Sequence, residues 1–141
     1  PVSQGGFGVV PWGGASQFID PTATWLWTQT NARFSAPAGT VDFSTLITNS
    51  SQQDKQALIH MLVDNDADVF LNDAKVGSGS MGFSVREYAK IPIALPWGTS
   101  TLRFRCVNSG TGPAGLLVAV VDAASGVTIV KSDPSSWVFN V

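Results

Sequence analysis

The chain has 141 residues, about the size of one ordinary domain, and a chain of that length buries roughly two-thirds of the surface its unfolded form exposes. Apolar residues make up 44% and charged ones only 13%, against a usual charged share of about a quarter, which excludes the disordered and acidic-tail classes. Eight Lys and Arg against ten Asp and Glu leave a net charge of −2, with no electrostatic footprint for a phosphate backbone or an anionic membrane, so nucleic acid is not an expected partner.

The single cysteine, Cys106, excludes an internal disulfide framework and a cysteine-based zinc cluster. Apolar runs such as Ala114 to Val121 fall far short of the ~20 residues of a membrane-spanning helix, so membrane insertion is not expected. Because the chain opens at Pro1 rather than at methionine, the lack of a basic-then-apolar leader carries no inference.

In chain order, alternating or β-branched apolar runs predict strands near 17–19, 24–28, 41–48, 56–64, 68–71, 83–95, 101–107, 115–121, 127–131 and 137–141. Turn chemistry separates them, at Pro11-Trp12-Gly13-Gly14, Ala36-Pro37-Ala38-Gly39, Gly77-Ser78-Gly79-Ser80, Pro96-Trp97-Gly98 and Ser132-Asp133-Pro134 among others. A short helical turn within 51–61 is the one helical alternative. In 101–107, Leu102, Phe104 and Cys106 point one way, and Thr101, Arg103 and Arg105 the other. The runs 57–63 and 116–121 are nearly continuously apolar, as suits central strands covered on both sides. The expected class is therefore all-β, an antiparallel two-sheet β-sandwich forming one domain over 1–141.

Few constellations suggest chemistry. The only histidine, His60, lies in an apolar strand run, and Cys106 shares the inward side with Leu102 and Phe104, so neither forms a nucleophile–base pair. The only glutamate, Glu87, sits beside Arg86 and could at most pair with an aspartate. Asp64-Asn65-Asp66-Ala67-Asp68 invites comparison with a calcium loop, but Val69 stands where that loop needs glycine and Lys75 where it needs glutamate. No cofactor is expected; a structural calcium ion on one or two of these acids lacks an intact motif. Tight turns at 64–66 and 72–75, with side chains bonded to their own backbone, are the simpler reading.

Five tryptophans are many for this length, and an indole can fill a core or offer a flat apolar plate to a sugar ring. Trp25 and Trp27 lie two apart and are expected to share a face. Trp12 and Trp97 lie on turns and are the candidate platforms, with Arg33, Asp64, Asp66 and Arg103 as candidate hydrogen-bonding companions; Arg86 and Arg105 are further ones.

Several stretches, read in order over about 24–137, resemble the galactose-binding-like jelly-roll modules appended to bacterial glycosidases such as α-rhamnosidases. They are Trp25-Leu26-Trp27, the strand–turn–strand from Ala57 through Asp64-Asn65 to Leu71-Asn72, Trp97-Gly98 before Leu102-Arg103-Phe104, Val107-Asn108, Pro113-Ala114-Gly115-Leu116-Leu117, and Ser132-Asp133 followed by Ser136-Trp137. The resemblance implies a non-catalytic module with Asp64-Asn65 and Asn72 as turn scaffold and Trp137 as a core plug. Asp73 departs from the glycine that usually follows the asparagine.

The resemblance and the loop aromatics together make a carbohydrate-recognition or attachment module the first functional expectation, with a glycan or cell-surface polysaccharide as partner at an extracellular or virion surface. The alternative is a virion, tail-fibre or surface-layer domain that contacts neighbouring subunits, as a homo-oligomer or in a larger assembly, without a sugar. A small glycosidase ranks last.

Overall fold

The computed structural model describes residues 1–13, 18–81 and 89–141. Eleven strands are β1 (Val2–Gly6), β2 (Thr24–Trp27), β3 (Gly39–Asn49), β4 (Lys55–Asp64), β5 (Asp66–Leu71), β6 (Ala74–Ser80), β7 (Ala89–Leu95), β8 (Gly98–Asn108), β9 (Gly115–Asp122), β10 (Thr128–Lys131) and β11 (Val138–Asn140). They form two antiparallel sheets. One runs β1-β2-β9-β4-β7, with β10 also on β9; the other runs β11-β3-β8-β5-β6.

The all-β sandwich expected from the sequence is the observed architecture. Alternation explains it in β8, where Leu102, Phe104 and Cys106 are fully buried between the sheets while Thr101 and Arg105 are exposed. Burial pushes the Cys106 thiol far above its usual range, so it is a packed thiol and not a nucleophile. β4 and β9 pair over eight residues, from Ala57↔Asp122 to Asp64↔Gly115, and are covered on both faces. Their inward residues join the main core. On the outer face Leu62, Leu117 and Ala119 form a second cluster with Trp12, Phe18, Ala23 and Trp25.

Strand pairing defines two ends of the sandwich. At the Asn65 end lie Gly39↔Asn108, Asp66↔Val107 and Asp64↔Gly115; at the Trp97 end lie Asn49↔Gly98, Leu71↔Leu102 and Lys55↔Leu95. Asn65 alone links β4 in one sheet to β5 in the other.

The structure departs from the sequence expectations at several points. Residues 18 and 19 are not in a strand, and residue 17 lies outside the described residues, as do 83–88 of the expected 83–95 strand. β1 is a strand despite its lack of apolar alternation, pairing with β2 through a register shift between Ser3 and Gly5. β6 occupies the expected Gly-Ser connection. Its glycines sit at close contacts: a Cβ on Gly77 would come within 2.8 Å of the Ile91 side chain, and one on Gly79 within 2.8 Å of the flexible end of Met61. The helical alternative over 51–61 does not occur: residues 55–61 belong to β4, in line with the strand expected at 56–64. Trp25 and Trp27 do not share a face: Trp25 joins the outer cluster and Trp27 the core. β2 pairs with β9 in register only at Leu26↔Leu116 and ends at Trp27, so the chain leaves strict alternation there and Trp27 drops beside Phe43, with ring centroids 5.4 Å apart.

Candidate functional site

The six candidate residues fall in three places. At the Asn65 end, Trp12 and Asp64 come together: the indole Nε1–H donates to Asp64 Oδ2 at 3.0 Å. Both are buried, at 1% and 2% exposure. The expectation that Trp12 stands in water as a sugar platform is thereby corrected. Its ring stacks on Trp25 at 4.1 Å and 18°, and the pair covers the β9–β4 surface, because a sheet with two apolar faces needs a lid on the outer one. Burial raises the Asp64 carboxyl above its ordinary range, and the Trp12 hydrogen bond only partly opposes this.

Arg33 lies beside this pair. Its Nη1 donates to the Val10 carbonyl at 3.2 Å, its backbone N–H to Gln4 Oε1 at 3.0 Å, and its guanidinium covers the Phe34 ring at 4.4 Å. Phe34 is an exposed aromatic that the sequence did not single out, since it stands in a turn region with no apolar periodicity to mark it. Asn65 does not bond its own backbone as a simple turn would. Its Oδ1 accepts from Ser109 N and Oγ, and Asn108 Nδ2 donates to Ala36 and Pro37 carbonyls, so these amides tie the loops of this end together.

Asp66 and Arg103 share the outer face of the five-stranded sheet. Ser80 Oγ donates to Asp66 Oδ1 at 2.6 Å, and the Arg103 guanidinium covers the Phe70 ring at 4.1 Å while reaching Asp42 Oδ1 at 3.5 Å. The acids of 64–68 do not converge: Asp64 faces outward from one sheet, while Asp66 and Asp68 face outward from the other. Among the described residues no three His, Cys, Asp or Glu side chains gather as metal ligands.

Trp97 stands at the opposite end, 63% exposed, whereas Trp12, Trp25, Trp27 and Trp137 are all at 2% or less. Asn49 builds its surroundings. Its Nδ2 donates to the carbonyls of Gln53 and Leu95, and its Oδ1 accepts from Ser51 N and Oγ. This pins the exposed loop 50–54 to the β7 end two residues before Trp97. The adjoining hairpin turns at Asn72 and Asp73, both with positive φ, 48° and 66°. Asn72 reaches across to Thr101 N and Ser100 Oγ instead of its own backbone.

His60 is buried in β4, and burial first, then Lys90, lowers its pKa. Glu87 and Arg86 lie outside the described residues. No described helix is long and apolar enough to cross a membrane.

No protein-family profile matches the chain, and no curated protein matches it in sequence. Solved structures do. A Pleurotus ostreatus lectin crystallised with GalNAc superposes with a TM-score of 0.70 at 23% identity, over 83% of this chain and 35% of the lectin chain. A Streptomyces avermitilis α-L-rhamnosidase complexed with L-rhamnose gives 0.73 at 22% identity, over 90% of this chain and 13% of the enzyme. A Bacillus rhamnosidase gives 0.65 at 19%, over 84% and 13%. The chain thus spans about a third of the lectin and about an eighth of either enzyme. At these identities the likeness is one of fold: the chain is a two-sheet antiparallel sandwich like a domain of these lectin and rhamnosidase structures, as its galactose-binding-like sequence marks imply.

Proposed function

We propose that the chain is a non-catalytic carbohydrate-recognition module of a larger, surface-acting protein, with the Trp97 indole as the plate on which a sugar ring stacks. The observation that carries this reading is the contrast among the tryptophans. The sandwich hides four of the five and leaves Trp97 in water, forgoing roughly the 1.5–3 kcal/mol that burying a large apolar side chain provides. Loop 50–54 carries hydroxyl and amide side chains at the same end of the sandwich; an apolar ring suits the C–H face of a pyranose and such polar groups its hydroxyls.

The sandwich neighbours support the substrate class, since one is a lectin holding GalNAc and another an enzyme holding L-rhamnose. Their greater length supports a module within a longer protein. Such a module works where glycans are displayed, outside the cell or on a virion surface, and that localisation is part of the proposal.

A glycan array probed with the wild-type chain and Trp97→Ala tests it. Binding to one or more glycans that weakens about tenfold or more in Trp97→Ala, with the melting temperature unchanged, supports the reading. A wild type that binds no glycan, or a variant that binds as well, overturns it. An oligomer without any glycan binding would favour the subunit-contact alternative.

A further inference from the structure

The outer face of the five-stranded sheet carries a polar trough on strands away from the Trp97 turn. Register lines up side chains in rows: Asn140, Asp42, Arg105, Asp68 and Ser78 stand opposite one another on β11, β3, β8, β5 and β6. The next row is Thr40, Val107, Asp66 and Ser80. Two open grooves of about 380 and 320 Å³ lie along these rows, and both are walled by Arg105 and Val107, so they adjoin across the sheet. Four strand-to-strand steps of ~4.8 Å make a track roughly 19 Å long, longer than any one sugar ring.

The chemistry of this face selects its occupant. Arg105 Nε donates to Asp42 Oδ1 at 3.2 Å, and Lys75 Nζ pairs with Asp68 Oδ1 at 3.1 Å. Four acids, Asp42, Asp66, Asp68 and Asp73, outnumber three bases, Lys75, Arg103 and Arg105, by one. A polyanion gains no net attraction from such a surface, and the larger apolar side chains at the grooves are half-buried Val107 and exposed Val141, two valines in a lining that is otherwise mostly polar. Neutral hydroxyl groups fit it well. Carboxylate oxygens accept, guanidinium N–H groups donate in a planar fork, and the Arg105 side chain, 52% exposed, stands where the grooves meet.

We infer that this trough is a second glycan site, which takes an extended neutral polysaccharide chain across the strands while Trp97 takes a single sugar unit. The inference rests on the glycan-binding reading above, and the test separates the two. Native gels containing galactomannan, xyloglucan, hydroxyethylcellulose or dextran, with alginate as the anionic comparison, are run with wild type, Arg105→Ala, Ser78→Trp and Trp97→Ala. Both trough positions are exposed, and melting curves verify folding. Retardation of wild type by a neutral polymer, lost about tenfold or more in both Arg105→Ala and Ser78→Trp, is expected. Retardation lost in Trp97→Ala but untouched in both trough variants overturns the trough and leaves the Trp97 reading standing. Array binding without retardation in any neutral gel does the same. Retardation by alginate alone, or a shift in oligomeric state of Arg105→Ala by light scattering, overturns the trough in favour of a polyanion or a second copy. No binding in either assay removes both proposals.

Discussion

Gly115 is the position where a single methyl group tests the packing of the Trp12–Trp25 lid. A Cβ placed there lies 2.7 Å from Trp25 Cε3, 2.8 Å from Trp12 Cη2 and 2.9 Å from Trp12 Cζ2. Carbon atoms at their energy minimum sit ~3.5–4.0 Å apart, so the rings must retreat by roughly 0.8 Å. All three atoms belong to rigid indoles, not to the ends of flexible chains. Overpacking of this kind costs about 1–3 kcal/mol. Lifting Trp12 also strains its 3.0 Å bond to Asp64, and a buried polar group left unpaired costs about 1–3 kcal/mol. Gly115→Ala is therefore expected to destabilise the chain by about 2–4 kcal/mol, which for a domain of this size lowers the melting temperature by roughly 6–15 °C.

Gly110→Ala is the control, because its Cβ would meet nothing within 4 Å. Thermal melts followed by far-UV circular dichroism compare the two variants. Near-UV dichroism reports the coupled signal of the stacked indoles, which should weaken only in Gly115→Ala. If both variants melt within about 2 °C of wild type, the kind of change expected at an indifferent surface site, the lid does not rest on the β9 backbone.

Three further outcomes concern the aspartates Asp64, Asp133 and Asp73. Asp64→Asn keeps an acceptor for Trp12 and removes a charge; since burial raises the native Asp64 pKa above its unfolded value, ionisation of this group opposes folding. The variant should be the more stable at pH 7 in urea denaturation, with its advantage shrinking as pH falls toward 3.8, and a growing advantage in acid would refute the sign. Asp133 behaves oppositely: desolvation pushes its pKa up, but hydrogen bonds from the Ser135 and Ser136 hydroxyls and N–H groups outweigh it and hold the value at about 2. Its stabilisation is complete above pH 3.8 and lost as pH falls toward 2, so Asp133→Asn should flatten the acid limb of stability over that window. Asp73→Gly should raise stability by a few tenths to about 1 kcal/mol, because the position holds φ at 66° and only glycine adopts that freely. The Arg103 contact it sacrifices, 3.9 Å from a fully hydrated carboxylate, offsets little, and an unchanged or lowered urea midpoint would count against this account.

The strands that alternate or run continuously apolar were legible in the sequence because burial writes directly onto residue type. β8 and the β4–β9 pair are the clear cases. β1 and β6 were not, since neither draws its order from apolar burial of its own. β1 is held by pairing with β2, and β6 reads as a flexible Gly-Ser linker although Gly77 and Gly79 lie in close contact with Ile91 and Met61. The asparagines were legible as turn residues but not their partners: Asn65 and Asn72 each brace a backbone on β8 or just beyond it, a long-range relation that no local spacing encodes. The split of Trp25 from Trp27 was hidden for the same reason, because it depends on where β2 loses its neighbour.

The candidate site illustrates why tryptophan number misleads where exposure does not. A sandwich with a second apolar cluster outside one sheet needs large rings on both faces of that sheet, and Trp27 and Trp137 fill the inner side while Trp12 and Trp25 fill the outer one. Trp12 and Trp97 sit in nearly identical local sequences, Pro-Trp-Gly, yet one lies on the greasy face of β9 and β4 and the other projects past the end of β7 with no cluster to join. The same tripeptide thus serves packing in one place and faces solvent in the other. The deciding variable is the sheet surface it is delivered to, which exists only once distant strands have paired. The two proposed recognition sites follow from the same distinction: Trp97 is the tryptophan that no cluster covers, and the Asp42–Arg105–Asp68 row lies on a solvent-facing sheet surface.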